Sequence, residues 1–355
     1  MPNLIERAIS TAAYGAAQTA RVGWYTAQYI STRHAAGPIT VPGEVPRPYR
    51  AARPAVGVVQ KAFFDLLARE GRDIAAGRYR LPRSHRQLPN PFHLFAQAGE
   101  YRREVGRISR RVFDKGGAME VRTRKEVGYP PYYLQNFHFQ SDGWLSAESA
   151  RIYDTQVETL FTGAADTMRR RALPMLLDEI DRIDGQGRRP LVADIACGTG
   201  RLLADLLDNR RGIDAIALDL SGAYLDQAQR HVGRERARFI KANAESLPFE
   251  DNSIDILYSV YLFHELPPKV RPVVAAELAR VLKPGGLYVH VDSAQYGDTQ
   301  MDILLEGFPR AVHEPYYEHY CGEDLRTLFG GEGFVPEDEE IAFLSKVSAF
   351  RRPAA

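Results

Sequence analysis

Apolar and polar positions change their spacing along the chain, and after residue 190 short β-branched runs alternate with stretches of helical periodicity. The runs predict strands at 191–196, 215–220, 237–242, 254–260 and 287–291. The stretches between them predict helices at 200–209, 222–232 and 268–282. Alternating strands and helices form βαβ units with right-handed crossovers, so the pattern predicts an α/β domain on a parallel sheet.

Before residue 146 the apolar spacing is mostly helical. It predicts helices at 4–32, 58–79 and 93–114. Prolines between 37 and 57 predict an extended linker, because proline fixes φ and lacks a backbone donor. An aromatic, loop-like segment follows at 129–145, and Ser146 then suits the N-cap of a new helix. We therefore divide the chain into a helical accessory region, 1–145, and an α/β domain, 146–355.

The composition is that of an ordinary globular protein, with 45% hydrophobic residues, 26% charged residues and a formal net charge of +1. This balance disfavours a protein that binds nucleic acid through bulk charge. Residues 69–125 are locally basic, with 15 Arg or Lys against 6 Asp or Glu. Such a stretch fits either a solvated face or a site for an anionic substrate or RNA.

Cysteine usage and hydropathy bear on cellular location. The two cysteines, Cys197 and Cys321, do not suggest a disulfide framework and favour a reducing compartment. No apolar run reaches the 18 residues typical of a membrane-spanning helix. We therefore expect a cytoplasmic protein. An alanine-rich N-terminus with spaced arginines leaves a transit peptide open, and the 4–32 helix leaves peripheral membrane contact open.

The first predicted strand runs directly into Cys-Gly-Thr-Gly at 197–200 and then into a helix. Glycines permit a tight turn there and a close approach of the backbone to a ligand, beside the positive end of the helix dipole. The second strand ends at Asp219, where a carboxylate can accept hydrogen bonds from the ribose hydroxyls of a nucleoside. Together these features predict a nucleoside-binding site.

These segments resemble the motifs of class I S-adenosylmethionine-dependent methyltransferases, particularly the ubiquinone/menaquinone-biosynthesis subgroup. The matching segments are Asp-Ile-Ala-Cys-Gly-Thr-Gly at 194–200, Asn-Ala-Glu-Ser-Leu-Pro-Phe at 243–249 and Arg-Val-Leu-Lys-Pro-Gly-Gly at 280–286. The resemblance implies a Rossmann-like, seven-stranded, mostly parallel sheet with helices on both faces, and S-adenosyl-L-methionine as cofactor. Leu203 stands where a dinucleotide fold has its third glycine, which argues against NAD.

The resemblance also implies roles for individual residues. Asp219 would hold the ribose hydroxyls, Leu220 would touch the adenine, and Asp194 would orient the glycine turn and the cofactor's amino group. The family often has Asp where this chain has Asn243, which can accept a hydrogen bond from the adenine amino group but can also donate one. The predicted cofactor residues are Asp194, Ala196, Gly198, Gly200, Asp219, Leu220, Asn243, Ala244 and Ser259.

The implied activity is methyl transfer from S-adenosylmethionine to an O, N, S or C atom of a small molecule. The alternatives are an RNA or protein methyltransferase that uses the basic 69–125 stretch, and a non-catalytic protein of the same fold. Methyl transfer needs a base only when the acceptor must lose a proton. His264, which follows the fourth strand, is the candidate base; Glu265 is a second candidate, and packing or capping is the structural alternative for His264.

No metal site is predicted, because Pro315 interrupts any helical face that would align His313 and His319. The aromatic segment before the first strand predicts either a lid over the cofactor or a core that joins the two parts of the chain. The side chains concerned are Tyr132, Tyr133, Phe137, His138 and Trp144. We hypothesise that region 1–145 closes the substrate pocket, because the cofactor motifs themselves contact only the cofactor.

Overall fold

The computed structural model describes residues 4–36, 48–86, 91–113, 128–140 and 142–354. Its centre is a seven-stranded sheet in the order β3-β2-β1-β4-β5-β7-β6. The strands are β1 Leu191–Ile195, β2 Asp214–Asp219, β3 Arg238–Lys241, β4 Ile254–Val260, β5 Leu282–Ser293, β6 Val335–Ala342 and β7 Ser345–Arg351. Strands β1 to β5 are parallel, and β7 runs antiparallel to both of its neighbours. The predicted Rossmann-like, mostly parallel sheet is confirmed.

Helices cover both faces of the sheet and build most of the described N-terminal part. They are α1 Leu4–Ala36, α2 Val56–Ala75, α3 Arg83–Arg86, α4 Pro91–Phe113, α5 Ala147–Leu160, α6 Ala165–Arg170, α7 Leu173–Asp184, α8 Arg201–Asn209, α9 Gly222–Val232, α10 Arg271–Val281, α11 Asp302–Ala311, α12 Tyr317–Cys321 and α13 Leu325–Gly330. Ser146 caps α5 as predicted, because its side chain accepts a hydrogen bond from the Ser149 backbone N–H. The predicted linker at 37–57 lies partly outside the described residues.

The central strands β1 and β4 are almost entirely buried, because helices cover both of their faces, whereas most of β6 at the sheet edge is exposed. In β1, Val192 belongs to a core cluster that includes Ile180 of α7 and Leu206 of α8. The next residue, Ala193, belongs to the cluster on the other face, which includes Val274 of α10. This alternation follows from the period of two of a strand.

Among the described residues, none of the helices combines the length and the apolar character that a membrane-spanning helix needs.

The N-terminal helices share the core of the α/β part. Tyr14 of α1 and Ile74 of α2 belong to the cluster that also holds Val192. A buried ion pair reinforces this packing, since Glu70 of α2 is bonded to the Arg170 guanidinium at the end of α6. Burial alone would raise the pKa of Glu70, but the charge and hydrogen bonds of Arg170 outweigh it and lower the pKa to about 2. Glu70 is therefore an ionised carboxylate inside the protein.

Candidate active site

A pocket opens at the carboxyl ends of β1, β2 and β4, where parallel sheets of this kind bind ligands. Seven of the nine predicted cofactor residues line it. They are Asp194, Ala196, Gly198, Asp219, Leu220, Asn243 and Ala244. The other two, Gly200 and Ser259, are not among the described residues that line the pocket.

Asp219 holds the glycine turn and the start of α9 together. One carboxylate oxygen accepts a hydrogen bond from the Gly198 N–H and the other from the Ser221 N–H, both at 2.8 Å. Burial raises the pKa of Asp219 to about 6, although these backbone donors act in the opposite direction. The carboxylate lines the pocket and keeps lone pairs for a ligand's hydroxyl groups.

Asp194, at the end of β1, is a buried carboxyl group that faces the pocket. Its Oδ1 atom has no hydrogen-bond partner among the described residues. Burial raises the pKa of Asp194 to about 8. An unpartnered buried acceptor is costly, so this position suits a ligand that brings a donor or a positive charge.

Gly200 packs closely against α9. Its φ is +73°, and a Cβ placed there would lie 2.8 Å from Cγ2 of Val232 in α9. Glycine at this position adopts the left-handed conformation that precedes α8, and it lets the start of α8 lie close against α9. Ser259 also has a structural contact, because its hydroxyl lies 2.7 Å from the Tyr288 hydroxyl and is fully buried.

The Gly200→Ala substitution is expected to lower the free energy of unfolding more than Gly187→Ala does. Gly187 has nearly the same φ, +72°, but nothing lies within 4 Å of a Cβ built there. Both substitutions cost about 1 kcal/mol or more of backbone strain. The clash with Val232 adds about 1–3 kcal/mol at position 200 alone. Urea unfolding of the two variants measures the difference, and equal losses would contradict the packing role.

The side of the pocket formed by Asn243 is joined to the aromatic segment by hydrogen bonds. Asn243 donates to the Glu245 carboxylate at 2.9 Å, and the Tyr132 hydroxyl donates to the same carboxylate oxygen at 2.6 Å. On the other side, the Ser221 hydroxyl donates to the Trp144 carbonyl oxygen at 2.6 Å. Four of the five aromatic-segment residues singled out from the sequence line the pocket, namely Tyr132, Tyr133, Phe137 and Trp144.

The two candidate bases occupy different places. Glu265 lines the pocket, whereas His264 is not among the described lining residues. The His264 Nδ1 atom lies 2.5 Å from Asp292 Oδ1, and its Nε2 lies 3.5 Å from Glu265 Oε1. Burial would lower the pKa of His264, but the neighbouring Asp292 outweighs it and raises the pKa. The geometry therefore brings Glu265, and not His264, to the pocket wall.

Sequence reasoning missed several residues of the site. Arg169 of α6 lines the pocket, stands 5.5 Å from the centroid of the Tyr261 ring and pairs with Asp166 at 2.9 Å. Nothing in the local spacing indicated it, because the short helix α6 carries no cofactor motif. Glu314 was also missed; it lies behind Glu265, and burial raises the pKa values of Glu265 and Glu314 to about 8 and about 7.

Comparison with known proteins places these features in a family context. The family model of a methyltransferase domain matches residues 192–286. A demethylmenaquinone methyltransferase from Renibacterium salmoninarum is 30% identical over 185 residues, which is 49% of this chain and 72% of the relative. A sterol 4-C-methyltransferase from Caenorhabditis elegans is 28% identical over 138 residues. That match spans 36% of this chain and only 37% of the relative.

The comparison with solved structures gives matches of low overall similarity. A SAM-dependent methyltransferase from Aquifex aeolicus superposes with a TM-score of 0.37 at 19% identity, covering 49% of this chain and 89% of its own.

Proposed function

Because the chain belongs to the class I S-adenosylmethionine-dependent methyltransferases, we propose that it transfers the methyl group of S-adenosylmethionine to a small-molecule acceptor. One observation carries the proposal. The buried Asp219 carboxylate accepts a hydrogen bond from the Gly198 N–H, and both residues line the pocket at the carboxyl ends of β1 and β2. This arrangement offers a nucleoside the fixed acceptor and the close backbone approach that it needs.

The pocket residues fit the cofactor chemically. Asp219 would accept hydrogen bonds from the ribose hydroxyls, and Leu220 and Ala244 would flank the adenine. The unpartnered Asp194 oxygen would accept from the positively charged amino group of the methionine part. Aromatic faces such as that of Tyr153 would stabilise the sulfonium charge. The cofactor supplies the activated methyl group.

The protein's own contribution is alignment and the exclusion of water. Displacement at a sulfonium needs the attacking atom, the methyl carbon and the sulfur in line. Region 1–145 contributes to this closure in our proposal, because Tyr132, Tyr133, Phe137 and Trp144 line the pocket. We expect an apolar acceptor, since these rings are joined by Leu262 and Leu266 at the pocket wall.

RNA or protein as acceptor is not favoured. Arginines of the basic 69–125 stretch form ion pairs within the chain, as Arg83 and Arg86 both do with Asp208.

A cytoplasmic location is also part of the proposal, because Cys197 and Cys321 are free and buried, as expected in a reducing compartment.

Calorimetry with S-adenosylmethionine and its demethylated product is expected to show micromolar binding of both ligands, with no heat from NAD. A second experiment incubates the protein with methyl-labelled cofactor and a metabolite extract, and label is expected in the apolar fraction. The absence of heat with either sulfur compound would contradict the cofactor assignment. Binding without transfer of label to any extract component would favour the non-catalytic alternative.

A further inference from the structure

Three ionisable side chains from separate parts of the chain meet behind the pocket wall. His138 comes from the short 3-10 turn Phe137–Phe139, Glu265 from the turn that follows β4, and Glu314 from the loop between α11 and α12. Each offers one ligand atom, and these atoms all lie within 4.8 Å of one another. The His138 Nε2 atom lies 3.0 Å from Glu314 Oε1. We call these three residues the His-Glu-Glu cluster.

The cluster is buried and short of partners. Glu314 is 3% exposed, and its carboxylate oxygens are approached by His138 and by the Glu265 carboxyl group but have no other hydrogen-bond partner among the described residues. Glu265 Oε2 likewise has no other partner in the described part of the chain. Buried carboxyl groups are normally hydrogen-bonded, paired with a cation or coordinated to a metal. A bound cation would satisfy the remaining oxygens of both carboxyl groups.

The charged groups around the cluster do not balance its two carboxyl groups. His264 approaches Glu265 at 3.5 Å, but its other ring nitrogen is held by Asp292 at 2.5 Å. One imidazole ring is therefore shared between Asp292 and Glu265, and this single group does not balance the carboxyl groups of both Glu265 and Glu314. A divalent ion would provide a counter-charge for both groups at once.

The backbone conformation of His138 also fits a functional role for the cluster. His138 has a φ of +52°, a left-handed conformation that is strained for a residue other than glycine. Strain of this kind is often found where a side chain must be directed to a functional site. Here it directs the imidazole ring toward Glu314.

We propose that His138, Glu265 and Glu314 bind a divalent first-row metal ion. One imidazole and two carboxylates suit ions from Mn²⁺ to Zn²⁺ better than Mg²⁺ or Ca²⁺, which prefer ligand sets made of oxygen. Glu265 also lines the pocket, next to Leu266 in the wall where we propose that the acceptor binds. The ion would therefore lie beside the acceptor. Its role there, binding a hydroxyl or carbonyl oxygen of the acceptor, rests on the proposed function; metal binding itself does not.

The test uses the full chain after treatment with a chelator. Mn²⁺ titration followed by electron paramagnetic resonance, and Zn²⁺ titration by calorimetry, are expected to show one ion per chain. Glu314→Gln keeps the size of the side chain and removes its charge. It should weaken the binding of both ions at least tenfold. His138→Gln should remove the nitrogen coupling from the Mn²⁺ spectrum. Glu318→Gln is the matched control, because Glu318 lies nearby in α12 and is exposed.

Thermal unfolding checks that each variant is folded, and Glu265→Gln serves as a second variant if Glu314→Gln is not. Equal affinity of the parent, the folded cluster variants and the control would overturn the metal site. Calorimetry with S-adenosylmethionine is run on the same samples. Metal binding without cofactor binding would contradict the proposed function and leave the site standing. Cofactor binding without metal binding would overturn the metal site and leave the proposed function standing.

Discussion

Replacement of Asp219 by asparagine is expected to weaken S-adenosylmethionine binding by roughly 10- to 100-fold, about 1.5–3 kcal/mol. The carboxylate bonds to the Gly198 and Ser221 N–H groups and would accept from both ribose hydroxyls. An amide offers one acceptor and places a donor against one of those backbone donors. Calorimetry measures the dissociation constant directly.

Asp214→Asn is the matched control, because Asp214 begins the same strand but is exposed and pairs with Arg189 at the surface. Its dissociation constant should equal that of the parent. A value for Asp219→Asn within twofold of the parent would remove Asp219 from the cofactor site.

The dependence of binding on pH provides a second readout of the same prediction. Burial raises the pKa of Asp219 to about 6 in the free protein, and the ionised form is the one that accepts two hydroxyl groups. The contribution of Asp219 to affinity should therefore be complete above pH 6 and fall by about tenfold per pH unit well below it. Burial raises the pKa of Asp194 to about 8 in the free protein, so ionisation of that group when it binds the cofactor's amino group would add a separate step at higher pH. Asp219→Asn should abolish the step near pH 6 and leave the other in place.

Glu70→Ala is expected to lower the free energy of unfolding by about 3–5 kcal/mol, because it leaves the Arg170 charge buried and unpaired. The Tyr14 hydroxyl and the Thr167 hydroxyl lose the same partner, at 2.8 Å and 2.7 Å. Glu70 thus joins α1, α2 and α6. Urea unfolding, followed by circular dichroism, gives the loss.

Asp65→Asn is the control for this substitution, since Asp65 lies one turn earlier in α2 and pairs with Lys61 at the surface. It should leave the unfolding free energy unchanged. Adding Arg170→Met to Glu70→Ala should restore much of the stability, because an apolar pair can replace a buried ion pair. A loss for Glu70→Ala no larger than that of the control would show that the pair does not hold the N-terminal helices to the rest of the protein.

The sequence by itself determined the strands of the parallel sheet and most of the candidate cofactor pocket. Apolar runs of strand length separated by helical spacing predicted β1 to β4 closely, since both periodicities are local, but predicted only residues 287–291 of the longer strand β5. The glycine turn and Asp219 could be found because each lies at the end of a buried strand, and parallel strands end at one edge.

Only the tertiary structure decided which other residues reach that pocket. Gly200 packs against α9, and Arg169 enters the pocket from a short helix that carries no motif. His138, Glu265 and Glu314 meet although long stretches of chain separate them. The physical reason is that local periodicity specifies which face of an element is buried. What that face meets depends on how distant elements pack, and no single segment of the sequence encodes it.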